Sequence, residues 1–309
     1  MVRFVVRRLA GILLTLWAAV TLVFLAIYIV PGDPAEAALS QSTASQDVIE
    51  QRREALGLDA PIYVQYVRYL SGLVRADLGV SWSAGQPVSL MIRQQIGPTA
   101  RLALASMVVA VVAGVALGVA ASLGEGRWLG AVCHGLTGLL LSVPVMFSGT
   151  VAIWIGAVVL GILPATGQGT LAQLVMPALV VGLNVAAGIS RTVEAGIGQV
   201  RHEPFVLLAK AKGLNAWQTG IRHALRVGML PTLDVVALQF GFLLGGAVVT
   251  EIVFARQGLG RLLLFAVLDK DLPVVQGIVV LSAVVYGVLN LLADIGKAWL
   301  DPRIRQETL

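Results

Sequence analysis

Charge is scarce in this sequence. Asp, Glu, Lys and Arg make up 13% of its 309 residues while 57% are hydrophobic, against about one quarter charged in soluble domains. That shortage argues against a water-soluble domain of this size and points to lipid as the solvent. Cysteine is scarcer still. Cys133 stands alone, so no intrachain disulfide forms and the parts outside the membrane must hold by packing. No Gly-x-x-x-x-Gly-Lys-[Ser/Thr] stretch occurs. Gly296-Lys297 is followed by Ala298 and lacks the upstream glycine, so the chain has no phosphate cradle and no cofactor is expected in it. Neither His-Glu-x-x-His nor Cys-x-x-Cys is present, and His134, His202 and His223 are too scattered for a metal site in a transport path. Ser142 and Ser148 have no nearby histidine, which disfavours an intramembrane protease.

What is present is a series of apolar runs. A spanning helix needs about 20 mostly apolar residues, and six segments qualify: 9–30, 101–123, 131–161, 171–190, 229–254 and 275–299. The third carries Pro144 near its middle, where the missing N–H and the ring clash predict a kink. The first resembles a secretory signal, because Arg7 and Arg8 precede it and Ala35-Glu36-Ala37 mimics a cleavage site. Its apolar stretch is about twice as long as such a core, which favours an uncleaved span. The expected fold class is therefore an all-α integral membrane protein with six transmembrane helices.

The net charge of +5 sits in short segments between the apolar runs, a distribution that fits membrane topology better than nucleic-acid binding. Arg3, Arg7 and Arg8 place the N-terminus in the cytoplasm, and six spans then bring the loop between spans four and five inside. That loop holds Arg191, Arg201, Lys210, Lys212, Arg222 and Arg226 against Glu194 and Glu203, whereas residues 162–170 carry no charge. Arg303 and Arg305 put the C-terminus inside as well. The expected organisation is a cytoplasmic N-terminus and first span over 1–30, an extracytoplasmic segment over 31–98, a core over 99–299 with the loop at 191–228, and a tail over 300–309. Pro31-Gly32-Asp33-Pro34 reads as a rigid turn ending the first helix. Ile62, Tyr66, Tyr69, Leu70 and Leu73 recur at helical spacing, predicting an amphipathic helix that caps the membrane domain. A second reading makes this cap part of a docking surface for an external binding protein.

The basic loop carries local helix signals. Glu203-Pro204 suits a first turn, Phe205 to Lys212 read as helix, and Gly213 stands where a left-handed stop is easiest. Asn215 with Gln218 resembles a capping box that opens a second helix running to about Arg226. Ala209 and Gly213 are four apart and small, a face that permits close approach by a partner, with Lys210 and Lys212 beside it for acidic groups. An ordinary positive-inside loop is the better account of the charges alone; the caps bring the docking reading level with it.

Within this loop, Leu207-Leu208-Ala209 and Ala209-Lys210-Ala211-Lys212-Gly213-Leu214 resemble the degenerate Glu-Ala-Ala…Gly loop of ABC-importer permeases. The resemblance is to the branch that moves dipeptides, oligopeptides, glutathione or nickel. It extends through Leu56-Gly57-Leu58-Asp59-Ala60-Pro61, Gln65-Tyr66, Asp77-Leu78-Gly79, Ser142-Val143-Pro144 and Gly245-Gly246 with Glu251. Further on come Gly258-Leu259-Gly260, Asp271-Leu272-Pro273, Asn290-Leu291 with Asp294, and Asp301-Pro302-Arg303-Ile304-Arg305. The resemblance implies a type I importer permease in the cell (inner) membrane and no enzyme. Its implied partners are a second, related permease, two ATPase subunits that bind ATP and Mg, and an extracytoplasmic substrate-binding protein. It also implies that the loop helix seats in a cleft of the ATPase, through Glu203, Pro204, Phe205, Ala209, Lys210, Lys212, Gly213, Leu214 and Asn215. Leu207 and Leu208 stand where the general motif has Glu and Ala. Glu194 stands where the branch often has a second basic residue after Arg191, and Asp234 where it usually has a small polar one.

Candidate translocation-path or gate residues are Asn184, Arg191, Gln239, Gly245, Glu251, Asn290 and Asp294, since polar groups inside a membrane need partners or a wet channel. Gly241 and Gly245, four apart, suit a close helix crossing. Asp234 is expected to pair with Arg191, Arg222 or Arg226 near the inner face. A self-powered secondary transporter is the alternative function; it would show internal repeats and mid-bilayer carboxylates, neither of which is evident.

Overall fold

A chain crossing a bilayer has to satisfy its backbone within each segment, so helices are the solution available to these apolar runs. The computed structural model describes residues 2–29, 58–124, 126–201, 203–220 and 224–300, with isolated positions between 47 and 54. Its main helices are α1 (Val2–Ile29), α2 (Ile62–Val74), α3 (Val88–Leu123), α4 (Trp128–Ser142), α5 (Val145–Ile153) and α6 (Leu171–Val200). They continue as α7 (Pro204–Ala211), α8 (Ala216–Thr219), α9 (Leu225–Gly228), α10 (Leu230–Gly246), α11 (Val248–Val253), α12 (Leu259–Leu268) and α13 (Leu272–Leu300). No strand occurs among the described residues beyond one antiparallel bridge between Val80 and Pro87.

Each of the six expected spans falls on helix. Those in α3, α6 and α13 are long and apolar enough to cross a membrane by themselves, and α4 with α5 and its π-helical extension makes a fourth if the broken pair counts as one. The apolar stretches Ala10–Ala26 of α1 and Leu230–Leu244 of α10 are shorter. The kink expected at Pro144 is a full break. Helix α4 ends at Ser142, α5 begins at Val145, and the two halves meet at 99°.

The membrane core is built on α3 against α6. Leu102, Met107, Ala110, Val185, Ile189, Val193 and Ile197 form its buried centre. The two helices approach closely because Gly114 and Gly118, one turn apart on α3, lie over α6 backbone. A Cβ on Gly114 would stand 2.8 Å from the Ala186 carbonyl oxygen, and one on Gly118 would stand 2.6 Å from that of Ser190. This small-xxx-small pairing lets lipid-soluble helices gain contact where the hydrophobic effect offers little. The crossing expected at Gly241 also exists, against Tyr286 of α13.

Helix α2 is the expected amphipathic helix. Tyr66 and Tyr69 lay their rings against Phe24 of α1, with centroids 5.1 and 5.8 Å away. The Tyr66 hydroxyl lies 2.7 Å from that of Thr21. Gln65 caps the entry by donating to the Leu58 and Ala60 carbonyls. Burial, with a smaller contribution from Tyr66, pushes the Tyr69 phenol up to about 12, so Tyr69 stays neutral at physiological pH. The Pro31-Gly32-Asp33-Pro34 turn lies outside the described residues.

Candidate functional site

The loop between α6 and α10 is the site that local chemistry specifies most completely. Helix α7 starts at Pro204, with the Val206 and Leu207 N–H groups donating to the Glu203 carbonyl. It stops at Gly213, whose φ of +88° is left-handed backbone that glycine adopts without Cβ cost. The Leu214 N–H reaches back to the Ala209 carbonyl at 3.3 Å, the six-to-one bond of a Schellman stop. The capping box is reciprocal: Gln218 N–H donates to Asn215 Oδ1 at 2.8 Å, and Asn215 N–H to Gln218 Oε1 at 3.3 Å. The second helix opens at α8, Gly220 and Ala224 are π-helical, and α9 follows; residues 221–223, including Arg222 and His223, lie outside the described residues.

Burial sorts the docking residues. Val206 and Ala209 point into the chain's own core, with 1% and 5% of their surfaces exposed, so Ala209 is covered from within and offers no free small face. Glu203, Pro204, Phe205, Lys212, Gly213 and Asn215 are exposed, Leu214 is half-buried, and the Lys210 side chain lies outside what is described. The outward surface is instead apolar: Phe205, Leu207 and Leu208 are 41%, 49% and 56% exposed. Leu207 and Leu208 thus occupy, as hydrophobes, the positions where the resembled motif carries Glu and Ala. On both flanks the loop is clamped, for Gly196 of α6 and Gly228 of α9 touch through their backbones. A Cβ on Gly228 would stand 2.8 Å from the Gly196 carbonyl carbon, and one on Gly196 would overlap the Gly228 carbonyl oxygen.

A second constellation surrounds α12. Glu251 is 1% exposed. Its Oε1 accepts from the Thr99 hydroxyl at 2.7 Å, and its Oε2 from the Arg261 N–H at 2.8 Å. Thr99 in turn accepts from the Leu259 N–H at 2.8 Å. One carboxylate therefore caps the first turn of α12, where the helix dipole and the unpaired N–H groups favour negative charge. It also ties that turn to α3. Gly258 must be glycine, because a Cβ there would overlap the Glu251 carboxylate. At the far end of α12, Asp271 is equally buried. It accepts from the Ser81 and Ser83 hydroxyls at 2.5 and 2.7 Å and from the Trp82 and Ser83 N–H groups. Arg256 completes the outer lock by donating from Nη1 to the Gly167 and Gln173 carbonyls, both at 3.1 Å.

The other polar residues of the spans disperse. Asn184 donates to the Leu140 carbonyl at 3.0 Å. That carbonyl is the one Pro144, lacking an N–H, leaves unpaired four residues on. Asn184 thus repairs the break in α4–α5, as an interruption inside a membrane requires. Replacing it by leucine is expected to cost about 1–3 kcal/mol and to lower the thermal midpoint of the purified complex, while Gln retains part of the bond. Asp234 does not pair with Arg191, and Arg222 and the Arg226 side chain lie outside what is described. Its partner is Lys297, at 2.6 Å, which also holds Asp294 at 2.9 Å. The pairing is set by α13 lying along α10, a neighbour relation that residue spacing does not reveal. Gln239 is half-buried beside Gly188, Asn290 is half-buried, and the surroundings of Gly245 are not described. Arg191 is exposed, and Glu194 lies 3.3 Å from His134 of α4.

Thr99, Ser81, Ser83, Lys297 and the Gly196–Gly228 contact were missed by sequence reading. For most of them no local signal exists, since their partners lie ten or more residues away. The Gly114–Gly118 spacing, by contrast, was a readable signal.

Known proteins share the sequence pattern and the fold. The family of binding-protein-dependent transport system inner membrane components matches residues 110–306, and its N-terminal companion matches residues 1–103. The glutathione transport system permease protein GsiC of Escherichia coli (strain K12) is 37% identical over 305 residues, covering 99% of each chain. The protein of the same name from Shigella dysenteriae serotype 1 (strain Sd197) matches equally. Two inward-facing crystal forms of the MetNI methionine ABC transporter share the fold, each with a TM-score of 0.58, at 16% and 17% identity. Each covers 69% of this chain and 97% of theirs. A multi-pass membrane protein of this kind works with ATPase subunits and a substrate-binding protein and is not itself an enzyme. The chain belongs to the inner membrane components of binding-protein-dependent transport systems, as a permease subunit of an ATP-binding-cassette importer.

Proposed function

We propose that this subunit forms half of a translocation pore for glutathione or a dipeptide-sized solute, paired with a second, related permease and driven by two ATPase subunits that bind ATP and Mg. Both termini lie in the cytoplasm in this reading, and the membrane is the cell (inner) membrane. The cargo reading is supported by the full-length likeness to glutathione permeases. The coupling reading is carried by one observation: a doubly capped loop that turns Phe205, Leu207 and Leu208 outward from a buried seat of Val206 and Ala209. Large apolar groups exposed on a rigid cytoplasmic helix are the chemistry of a docking surface. Glu251 serves the outer gate by fixing α12 and does not touch cargo.

The test is Leu208→Glu. Leu208 is exposed, so the subunit is expected to insert and assemble, yet a buried unpaired carboxylate at the ATPase contact costs several kcal/mol. Uptake of labelled glutathione in proteoliposomes should fall at least tenfold, with ATP hydrolysis no longer stimulated by the binding protein. Unchanged stimulation and uptake would sink the coupling assignment. Gly213 is a poorer probe, because its left-handed backbone adds strain to any substitution.

A further inference from the structure

Between the cytoplasmic ends of α3, α4 and α6 lies a cavity of about 520 Å³, lined by Ser122, His134, Thr137, Arg191, Glu194 and Gly198 among others. Its volume falls within the range of about 300–1,000 Å³ typical of small-ligand sites. Two of its groups are fixed charges of opposite sign. Arg191 and Glu194 stand three residues apart on α6, hence on one face of the helix. They do not pair with each other. Arg191 makes no ion pair among the described residues, and Glu194 is oriented from across the cavity by His134 Nε2 at 3.3 Å. The back wall is also polar: the Thr137 and Ser190 hydroxyls are buried 3.5 Å apart.

Stability does not account for this arrangement. The His134 and Glu194 side chains are 54% and 29% exposed, and a pair so wet contributes between nothing and about 1 kcal/mol. The exposed Arg191 guanidinium, which has no carboxylate partner among the described residues, is free to receive one from a ligand. A ligand with a carboxylate at one end and an ammonium at the other would satisfy both groups through charge-assisted hydrogen bonds. Two residues of extended peptide span at most about 7 Å. The Cβ atoms of positions three apart on a helix lie about 5–6 Å from one another.

We propose that this cavity is an exit-side subsite for a zwitterionic amino acid or short peptide, with Arg191 receiving the carboxylate and Glu194, held by His134, the ammonium. The proposal rests on the peptide cargo proposed above. Gly198 lies on its wall only a few residues before Pro204, so an occupied cavity adjoins the coupling loop.

The probe is dialanine, with N-acetyl-dialanine and dialanine amide as controls, titrated calorimetrically into the purified transporter without its binding protein. Dialanine should bind, and each blocked form should bind at least tenfold more weakly. Arg191→Gln should weaken dialanine at least tenfold and abolish discrimination against the amide. Glu194→Gln, nearly isosteric, should abolish discrimination against the N-acetyl form. Absence of dialanine binding to the intact wild-type complex, or binding unchanged in both variants, overturns the proposal. ATP-driven uptake of glutathione and dialanine by the same preparation judges the cargo reading separately. Uptake without binding at this cavity rejects the subsite alone. Arg191- and Glu194-dependent binding without uptake supports the subsite and rejects the cargo.

Discussion

Gly196→Ala is expected to abolish uptake and to deplete the assembled transporter, although it adds a single methyl group. The added Cβ overlaps the Gly228 carbonyl oxygen, which is backbone and cannot rotate away. Either α9 separates from α6 or the loop between them shifts. Overpacking against side chains costs about 1–3 kcal/mol. Against a backbone on both sides the upper end is the minimum, and about 3 kcal/mol lowers the folded-to-unfolded ratio more than a hundredfold. Gly11→Ala, at an exposed position of α1, is the control, because nothing lies within 4 Å of its Cβ. The measurement is the yield of complex by size exclusion, followed by uptake. Equal yield and uptake for the two alanine variants would remove the Gly196–Gly228 contact from the account.

The second large effect concerns α12. Glu251→Ala removes the acceptor for the Thr99 hydroxyl and the Arg261 N–H while opening a cavity beside Gly258. Bonds to a buried charge are worth about 1.5–3 kcal/mol, and two are lost together. Helix α12 should therefore fray at its first turn while the remaining spans stay folded. Amide exchange at Leu259 and Arg261 should rise about a hundredfold, with α3 protection around Leu102 nearly unchanged. Unaltered exchange at both amides would show that α12 holds by packing alone, through Leu259 and Ala266 against Val88 and Ile278.

The pattern of apolar runs and of Lys and Arg made the helices and their approximate bounds readable, because the bilayer permits so few alternatives. The loop was readable for a different reason. Gly213, Asn215 and Gln218 act on backbone within a few residues, so spacing alone carries their geometry. Ala209 was misassigned to the open face because a helical period fixes which residues share a side but not which side meets the core. Glu251 was noticed as an outer polar residue, yet its partners Thr99 and Arg261 come from separate elements. The partner Lys297 of Asp234 is hidden from sequence for the same reason: it arrives from the last helix, and only tertiary packing brings it there.

The contact between Gly196 and Gly228 also fixes a pivot. Asn184 lies twelve residues up the same helix, about 18 Å away at 1.5 Å per residue. A 10° tilt of α6 about that pivot would move Asn184 by roughly 3 Å. That displacement matches the length of its bond to the Leu140 carbonyl. A small angular stroke at the loop is therefore enough to unfasten the broken span at the point where its two halves meet.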